Sequence, residues 1–507
     1  MINQNFKYDI KAGFSVFLLA LPLCLGIAIA SQFPPIAGVL TAIIGGLVST
    51  FLGSSRLSIK GPAAGLIVIV LGAVNELGGG DMVLGYKRAL AVGVVAAVIQ
   101  ILFSLFKWGK AAEIMPPSVI HGMLAAIGVI IIAKQGAVIF GVEAVAKSPL
   151  GLLAELPQNI MNLNPKIALI GGLSFLIVKL WPRFKKLNFV PAAIVVLLVS
   201  IPLTFFFTVG PQFLIEVDSQ LLKAITFPDF SVVFSPVSLK YIVMYALVGS
   251  IESLLTVCAV DNLDPEKQTS DLNKDLFSTG IGNLISSLVG GLPMISEIVR
   301  SKANIDYEAK SRFSNFYHGL FLLLSLLLIP GLLNMIPMAA LAALLVHTGM
   351  RLASPSDLIK TFKIGKDQFF IFVSTMVITL LVDILVGVGV GLLLKIILHL
   401  VRGAKPRDFF KLDFSREERE GRVLLKIKGA LVFSNFLSLK RLIQKEGARE
   451  SKPVLDLSET LLVDHTIQMK LAGYKERGLL EIKGLDSLKA VSDHPLSFKK
   501  TGASGGT

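Results

Sequence analysis

Long apolar runs, separated by short loops, constrain this chain more than any other feature. About 20 predominantly apolar residues are needed to cross the hydrocarbon core of a bilayer, and runs of this kind recur between residues 11 and 401. Only 17% of the residues are charged, whereas a soluble protein carries about a quarter. The sequence therefore predicts an α-helical polytopic membrane protein.

Fourteen segments are predicted to cross or enter the bilayer, and several of them are short or broken. They are 11–30, 36–52, 61–75, 88–106, 117–135, 166–181, 189–208, 238–260, 274–291, 294–303, 314–330, 335–350, 368–382 and 384–401. Lys and Arg concentrate in the loops that this count places on one side, which is typical of the cytoplasmic face. We therefore expect a multi-pass protein of the cell (inner) membrane with both termini in the cytoplasm.

The pattern of the chain changes after residue 411. The stretch "RVLLKIKGALVFSN" alternates apolar and polar residues as a half-buried strand does, and strand and helix patterns alternate after it. We expect a membrane domain over 1–411, a small cytoplasmic α/β domain over 412–495 and a disordered tail over 496–507. The net charge of +14 is attributed to cytoplasmic loops, so no nucleic-acid partner is expected.

Two interrupted apolar segments point to a function. Lys60-Gly61-Pro62 precedes a run too short to span, and Gly290-Gly291 with Pro293 precedes a second short run that ends at Arg300. Proline suits the first turn of a helix, so each run is predicted to be a half-helix. Interrupted helices in matching positions of two halves indicate an inverted-repeat transporter. Their N-termini would meet near the midplane and offer an anion site.

Three charged residues in these apolar segments, Lys60, Glu252 and Glu297, each have two possible interpretations. Lys60 either adds positive charge to the anion site or snorkels to cytoplasmic water. Glu252 and Glu297 are functional candidates because an ionisable group in the bilayer is costly; alternatively they satisfy backbone groups or pair with Lys60. Thr256 lies four residues after Glu252, on the same helical face. This acid and hydroxyl could hold Na⁺ or carry a proton. Arg300 is predicted to stabilise the end of the second half-helix.

The chain resembles the SulP family of inorganic anion transporters, also called solute carrier family 26. The resemblance rests on several motifs together, which are "LPLCLGIAIASQFPPIAGVLTA", "GSSRLSIKGPAAG", "RSKANIDYEAKSRFSN" and, in the soluble part, the STAS-like "KPVLDLSETLLVDHT". It implies a fold of two inverted repeats of seven helices, divided into core and gate parts, with a cytoplasmic STAS domain. It also implies a transporter, not an enzyme, that forms a homodimer and needs no cofactor.

The resemblance also implies roles for individual residues. The stretch "GSIESLLTVCAVDN" is similar to the eighth helix of sodium-dependent bicarbonate transporters, with Glu where those carry Asp. By that match the coupling cation, Na⁺ or H⁺, is held at Glu252, Thr256, Ser296 and Glu297, and a bound Na⁺ would contact Glu252 and Thr256. The anion is expected between the N-termini of 62–75 and 294–303. Its expected contacts are Leu23, Lys60, Gly61, Ala63, Ala64, Ile295, Ser296 and Glu297.

The sequence thus predicts a secondary active transporter that works by alternating access as a symporter. Bicarbonate is the first expected substrate and sulfate the second, coupled to Na⁺ or H⁺. Three alternatives stay open at this point. They are an uncoupled anion channel or exchanger, a proton-coupled nucleobase symporter of the same fold, and an intramembrane enzyme that uses Glu252 and Glu297 as an acid pair.

Overall fold

The computed structural model describes residues 2–143, 145–146, 148–184, 190–216, 225–266, 268–419, 422–447, 452–476 and 478–501. Helices dominate the chain as far as Val401. In chain order they are α1 Ile2–Ala30, α2 Pro35–Leu47, α3 Ser49–Leu52, α4 Ile67–Gly78, α5 Met82–Leu105, α6 Pro117–Ile139, α7 Pro149–Met161, α8 Pro165–Leu180, α9 Ala192–Phe206, α10 Pro236–Leu263, α11 Leu272–Leu288, α12 Ile298–Asp306, α13 Phe313–Leu328, α14 Pro330–Leu333, α15 Met338–Leu352, α16 Pro355–Ile364, α17 Lys366–Leu381 and α18 Ile384–Val401.

Each of the predicted apolar segments contains a helix, so the predicted helical membrane fold is confirmed. Among the described residues, 7 helices are long and apolar enough to cross a bilayer. These run over Asn5–Ala30, Pro35–Leu52, Met82–Leu105, Pro117–Ile139, Pro165–Arg183, Pro236–Leu263 and Ile384–Val401. The apolar helices Ala64–Gly78, Ala192–Phe206 and Phe313–Leu328 are shorter. The chain is therefore a multi-pass membrane protein that also contains apolar helices shorter than a full membrane span.

The chain forms two compact units. The first comprises residues 1–109 and 127–352, and the second comprises 110–126 and 353–507. In the first unit, apolar side chains of α1, α2, α13 and α15 form one buried cluster around Cys24, Val39 and Leu322. The strands of the C-terminal sheet begin at Asp413, close to the predicted change at residue 412. The division between the two compact units does not coincide with the predicted domain boundary at residue 412, because α16 to α18 belong to the second unit.

The two interrupted segments each begin with a short strand, a feature that was not predicted from the sequence. Strand β1 is Lys60–Pro62 and strand β2 is Met294–Ser296, and they pair in antiparallel fashion. Pro62 is therefore extended and not in a first helical turn. A 3₁₀ turn over Ala64–Leu66 follows it, and α4 begins only at Ile67. Pairing is the physical reason, because extended backbone inside a bilayer needs internal hydrogen-bond partners.

The C-terminal part is an α/β domain, as predicted. Its strands are β3 Asp413–Arg419, β4 Arg422–Leu431, β5 Val454–Asp456, β6 Thr460–Val463, β7 Glu481–Lys483, β8 Lys489–Ala490 and β9 Lys499–Lys500, with helices α19 Phe436–Gly447 and α20 His465–Glu476. The sheet order is β7-β5-β4-β6-β9-β8, and β3 pairs with β4. The predicted start of a disordered tail at residue 496 is wrong. Strand β9 pairs with β6 and β8, and Phe498 is buried. Residues 502–507 lie outside the described part.

Candidate functional site

The paired strands β1 and β2 bring the two interrupted segments together, and we call this region the crossing. Lys60 is opposite Ser296, Gly61 is opposite Ile295, and Pro62 is opposite Met294. Two further backbone bonds extend the pairing, from Ala63 N to Pro293 O at 3.3 Å and from Glu297 N to Ile59 O at 2.9 Å. The predicted meeting of the two segments is therefore present, but it is made by strands.

Each half-helix begins just after its own strand, so both N-termini lie at the crossing, where the sequence predicted them to meet. Because the strands are antiparallel, α4 and α12 leave from opposite ends of the pairing. Helix α12 begins at Ile298, and Glu297 is its N-cap, accepting a hydrogen bond from Val299 N at 3.3 Å. The carboxylate thus occupies part of the positive end of the helix that was predicted to bind substrate.

Lys60 does not reach water. Its side chain is buried, and Nζ donates to Asp275 Oδ2 at 2.7 Å, to Thr279 Oγ1 at 2.8 Å and to Ser296 Oγ at 3.1 Å. All three ammonium protons have a partner. Asp275 and Thr279 lie on α11, and both are fully buried. The predicted snorkelling is therefore wrong, and the Lys60 charge is balanced by the Asp275 carboxylate.

Arg300 is the second cation of the crossing, and unlike Lys60 it has no hydrogen-bonded carboxylate within the described residues. It is only 1% exposed, and none of its three guanidinium nitrogens has an oxygen or nitrogen hydrogen-bond partner within the described residues. Its guanidinium lies near the Cys24 thiol and His318, and Nη1 is so close to Gly61 that a Cβ there would overlap it. Arg300 is the third residue of α12. The prediction that it stabilises the C-terminal end is therefore wrong.

Glu252 lies beside the 3₁₀ turn that leads into α4. Its carboxylate fits against Gly65, where a Cβ would overlap Oε1. Oε2 is buried and has no hydrogen-bond partner among the described residues. Glu297 is close enough to repel it electrostatically. The structure thus brings together the two predicted acids, and neither of them pairs with Lys60, whose ammonium bonds elsewhere.

The other predicted contacts are distributed around the same strands. Ala63, Ala64 and Ile295 are buried at the crossing, whereas Leu23 packs against the apolar cluster of the first unit. Thr256 lies on α10 and is partly exposed. No group of three or more His, Cys, Asp or Glu that could hold a metal occurs in the described ranges. The roles assigned to these residues, including a Na⁺ at Glu252 and Thr256, stay predictions.

Several polar residues of the crossing were not predicted. Asn283 on α11 accepts from Met294 N at 2.6 Å and donates to Gln100 Oε1 at 2.8 Å. Ser253 accepts from Ser296 N at 3.1 Å. A small cavity beside the crossing is lined by Leu66, Gly93, Ala96, Gln100, Tyr245, Asn283, Ser287 and Pro293. The sequence feature that could have identified this part of the site is the presence of polar side chains inside apolar helices, at Gln100, Asp275 and Asn283.

Comparison with known proteins identifies the family. Residues 6–375 match the model of the sulfate permease family. The candidate sulfate transporter YvdB of Bacillus subtilis (strain 168) is 28% identical over 506 residues, covering 96% of this chain and 92% of that protein. The bicarbonate transporter BicA of Picosynechococcus sp. is 27% identical over 384 residues, covering 74% of this chain and 67% of that protein.

Solved structures agree with this match. The transmembrane domain of a cyanobacterial bicarbonate transporter BicA has a TM-score of 0.68 at 26% identity and covers 76% of this chain and 98% of that one. SLC26A9 has a TM-score of 0.72 at 15% identity, covering 95% and 84%, and supports the fold alone. These relatives are membrane transporters and not enzymes. The chain therefore belongs to the sulfate permease (SulP, solute carrier 26) family of anion transporters.

Proposed function

We propose that this protein is a proton-coupled transporter of an inorganic oxyanion, with bicarbonate as the first substrate and sulfate as the second. The named relatives transport, or are named for transporting, one or the other of these anions. The observation that carries the proposal is Arg300, a buried guanidinium without a hydrogen-bond partner among the described residues. A guanidinium buried without hydrogen-bond partners is destabilising, and an oxyanion is a partner that suits its chemistry.

The position of Arg300 supports the same assignment. A cation in the first turn of a helix is unfavourable because it meets the positive end of the helix dipole. Because Gly61 has no side chain, the guanidinium can lie directly against the backbone of β1. A Cβ at Gly61 would overlap Nη1 and displace the guanidinium. Guanidinium binds oxyanions in a bidentate manner. An oxyanion at Arg300 would therefore lie at the crossing, beside both interrupted helices.

The charges of the crossing favour coupling to protons. Lys60 and Asp275 form a neutral pair, which leaves one cation, Arg300, and two acids, Glu252 and Glu297. With both acids ionised, the site would repel an anion. Protonation of Glu252 removes that repulsion, and its buried Oε2 has no described partner that would hold it ionised. We infer that Glu252 accepts the coupled proton, and that the divalent sulfate requires more protonation than bicarbonate does.

Exchange of radiolabelled bicarbonate and sulfate into proteoliposomes, without any imposed gradient, tests the anion site. Wild type should exchange at least one of the two anions, and Arg300→Gln should lose that exchange. Arg351→Gln, at an exposed arginine at the end of α15, is the matched control and should keep it. Unchanged exchange in a folded Arg300→Gln variant would refute the assignment.

The remaining predictions concern assembly and orientation. We expect a homodimer with both termini in the cytoplasm, as the resemblance implied. Crosslinking in the native membrane and protease access to the C-terminal domain in vesicles of known orientation would test them.

A further inference from the structure

The surroundings of the Lys60 ammonium are those of a small cation site. One carboxylate and two hydroxyls, from Asp275, Thr279 and Ser296, surround Nζ at 2.7, 2.8 and 3.1 Å. These are hard oxygen ligands of the kind that bind alkali and alkaline-earth cations. The group carries one negative charge, which suits a monovalent ion.

The site also lies where a coupling ion would act. Lys60 belongs to β1, Ser296 to β2, and Asp275 and Thr279 to α11. Inverted-repeat transporters hold their coupling ions at such broken segments, near the substrate. Ser253 extends the site, because its Oγ bonds to Thr279 Oγ1 at 3.3 Å and accepts from Ser296 N at 3.1 Å. A charge at Nζ therefore ties the strand of each interrupted segment to α11.

We propose that the Lys60 ammonium is a built-in monovalent cation that takes the place of Na⁺ at this site. A positive charge supplied by the chain would hold β1, β2 and α11 together in every transport state and make Na⁺ unnecessary there. This inference rests on the proposed transport function, but cation binding alone can test it. Its failure would leave the anion site at Arg300 and proton coupling at Glu252 untouched.

Removing the side chain should convert the site into a Na⁺ site. In Lys60→Ser, Asp275, Thr279 and Ser296 are retained and space for an ion is created. In Lys60→Met, the charge is lost but an apolar stem of similar length fills the space. Lys60→Ser/Asp275→Asn keeps the space and removes the carboxylate. The full-length proteins are purified, and binding of radioactive sodium is measured with unlabelled Na⁺, K⁺ and N-methyl-glucamine as competitors.

We expect Lys60→Ser to bind about ten-fold more sodium than wild type, and to be stabilised against heat by Na⁺ but not by N-methyl-glucamine. Lys60→Met and the double variant should show neither effect. A folded Lys60→Ser variant without this gain would overturn the proposal. If Lys60→Ser is monodisperse in Na⁺ but aggregates in N-methyl-glucamine, the proposal is supported. If it aggregates in both solutions while the double variant folds, the proposal is overturned.

Discussion

The guanidinium of Arg300, in the first turn of α12, lies against Gly61 of the first interrupted segment. A side chain at Gly61 would occupy the place of Nη1. The two residues are far apart in sequence, so this contact depends on the pairing of β1 with β2. It places a cation of the crossing next to buried backbone that carries no side chain, which is the basis of the proposed anion site.

Replacement of Arg300 should lower anion transport without lowering the thermal stability of the protein. Arg300→Met removes a buried charge that has no described partner, and we expect its melting temperature to equal or exceed that of wild type. Anion uptake should fall by at least about ten-fold, since a charge-assisted hydrogen bond contributes roughly 1.5–3 kcal/mol. Thermal unfolding and uptake are measured on the same preparation. A destabilised variant with normal uptake would mean that Arg300 is structural.

Gly65 should tolerate no side chain. A Cβ at this position would overlap Oε1 of Glu252, so Gly65→Ala must displace the carboxylate, at a cost of about 1–3 kcal/mol. We expect proton-driven uptake to be lost. Gly172→Ala is the matched control, because nothing lies within 4 Å of a Cβ there, and alanine in helix α8 should be neutral or stabilise by up to about 1 kcal/mol. Equal uptake by the two variants would contradict the placement of Glu252.

The second unit contains a buried ion cluster whose loss should be destabilising. Asp464 Oδ2 lies 3.5 Å from Lys395 Nζ and 3.3 Å from His399 Nε2, and it accepts from Phe433 N at 2.9 Å. Asp464→Ala leaves the fully buried Lys395 unpaired, which should cost about 3–5 kcal/mol. Lys395→Met/Asp464→Leu removes both charges and should recover much of that loss in a thermal unfolding assay. A double variant as unstable as Asp464→Ala would contradict this explanation.

The same ion cluster determines how the contribution of Asp464 to folding stability depends on pH. Burial alone would raise the pKa of Asp464, but the Lys395 ammonium, His399 and the Ile467 N–H hold this pKa well below its usual range. A depressed pKa in the folded state means that the stabilisation is present above the ordinary carboxyl pKa and is lost as the pH falls through the folded value. The stability difference between wild type and Asp464→Ala should therefore shrink only in strong acid.

The sequence predicted the helices well because long apolar runs are a strong signal, and Gly and Pro marked both interruptions. It did not predict β1 and β2, since three-residue strands show no periodicity. The error about Arg300 followed from that. With the second half-helix placed at 294–303, Arg300 fell near its end, whereas α12 begins at Ile298 and Arg300 lies in its first turn.

The partner of Lys60 could not be predicted for a different reason. Asp275 is 215 residues away along the chain, and only the antiparallel pairing of β1 and β2 against α11 brings the two together. Glu252 and Glu297 were predictable, because acids in apolar segments are rare and expensive. The sequence could therefore name several charged members of the site, but not which of them neutralise each other.

Uptake driven by imposed gradients tests the central claim most directly. Radiolabelled bicarbonate and sulfate are offered to proteoliposomes under an inward H⁺ gradient, an inward Na⁺ gradient or neither, with wild type, Glu252→Gln and, as control, Glu76→Gln at an exposed acid of α4. We predict accumulation with the H⁺ gradient only, abolished by Glu252→Gln and kept by Glu76→Gln. Accumulation driven by Na⁺, or H⁺-driven accumulation that survives Glu252→Gln, would contradict proton coupling at Glu252.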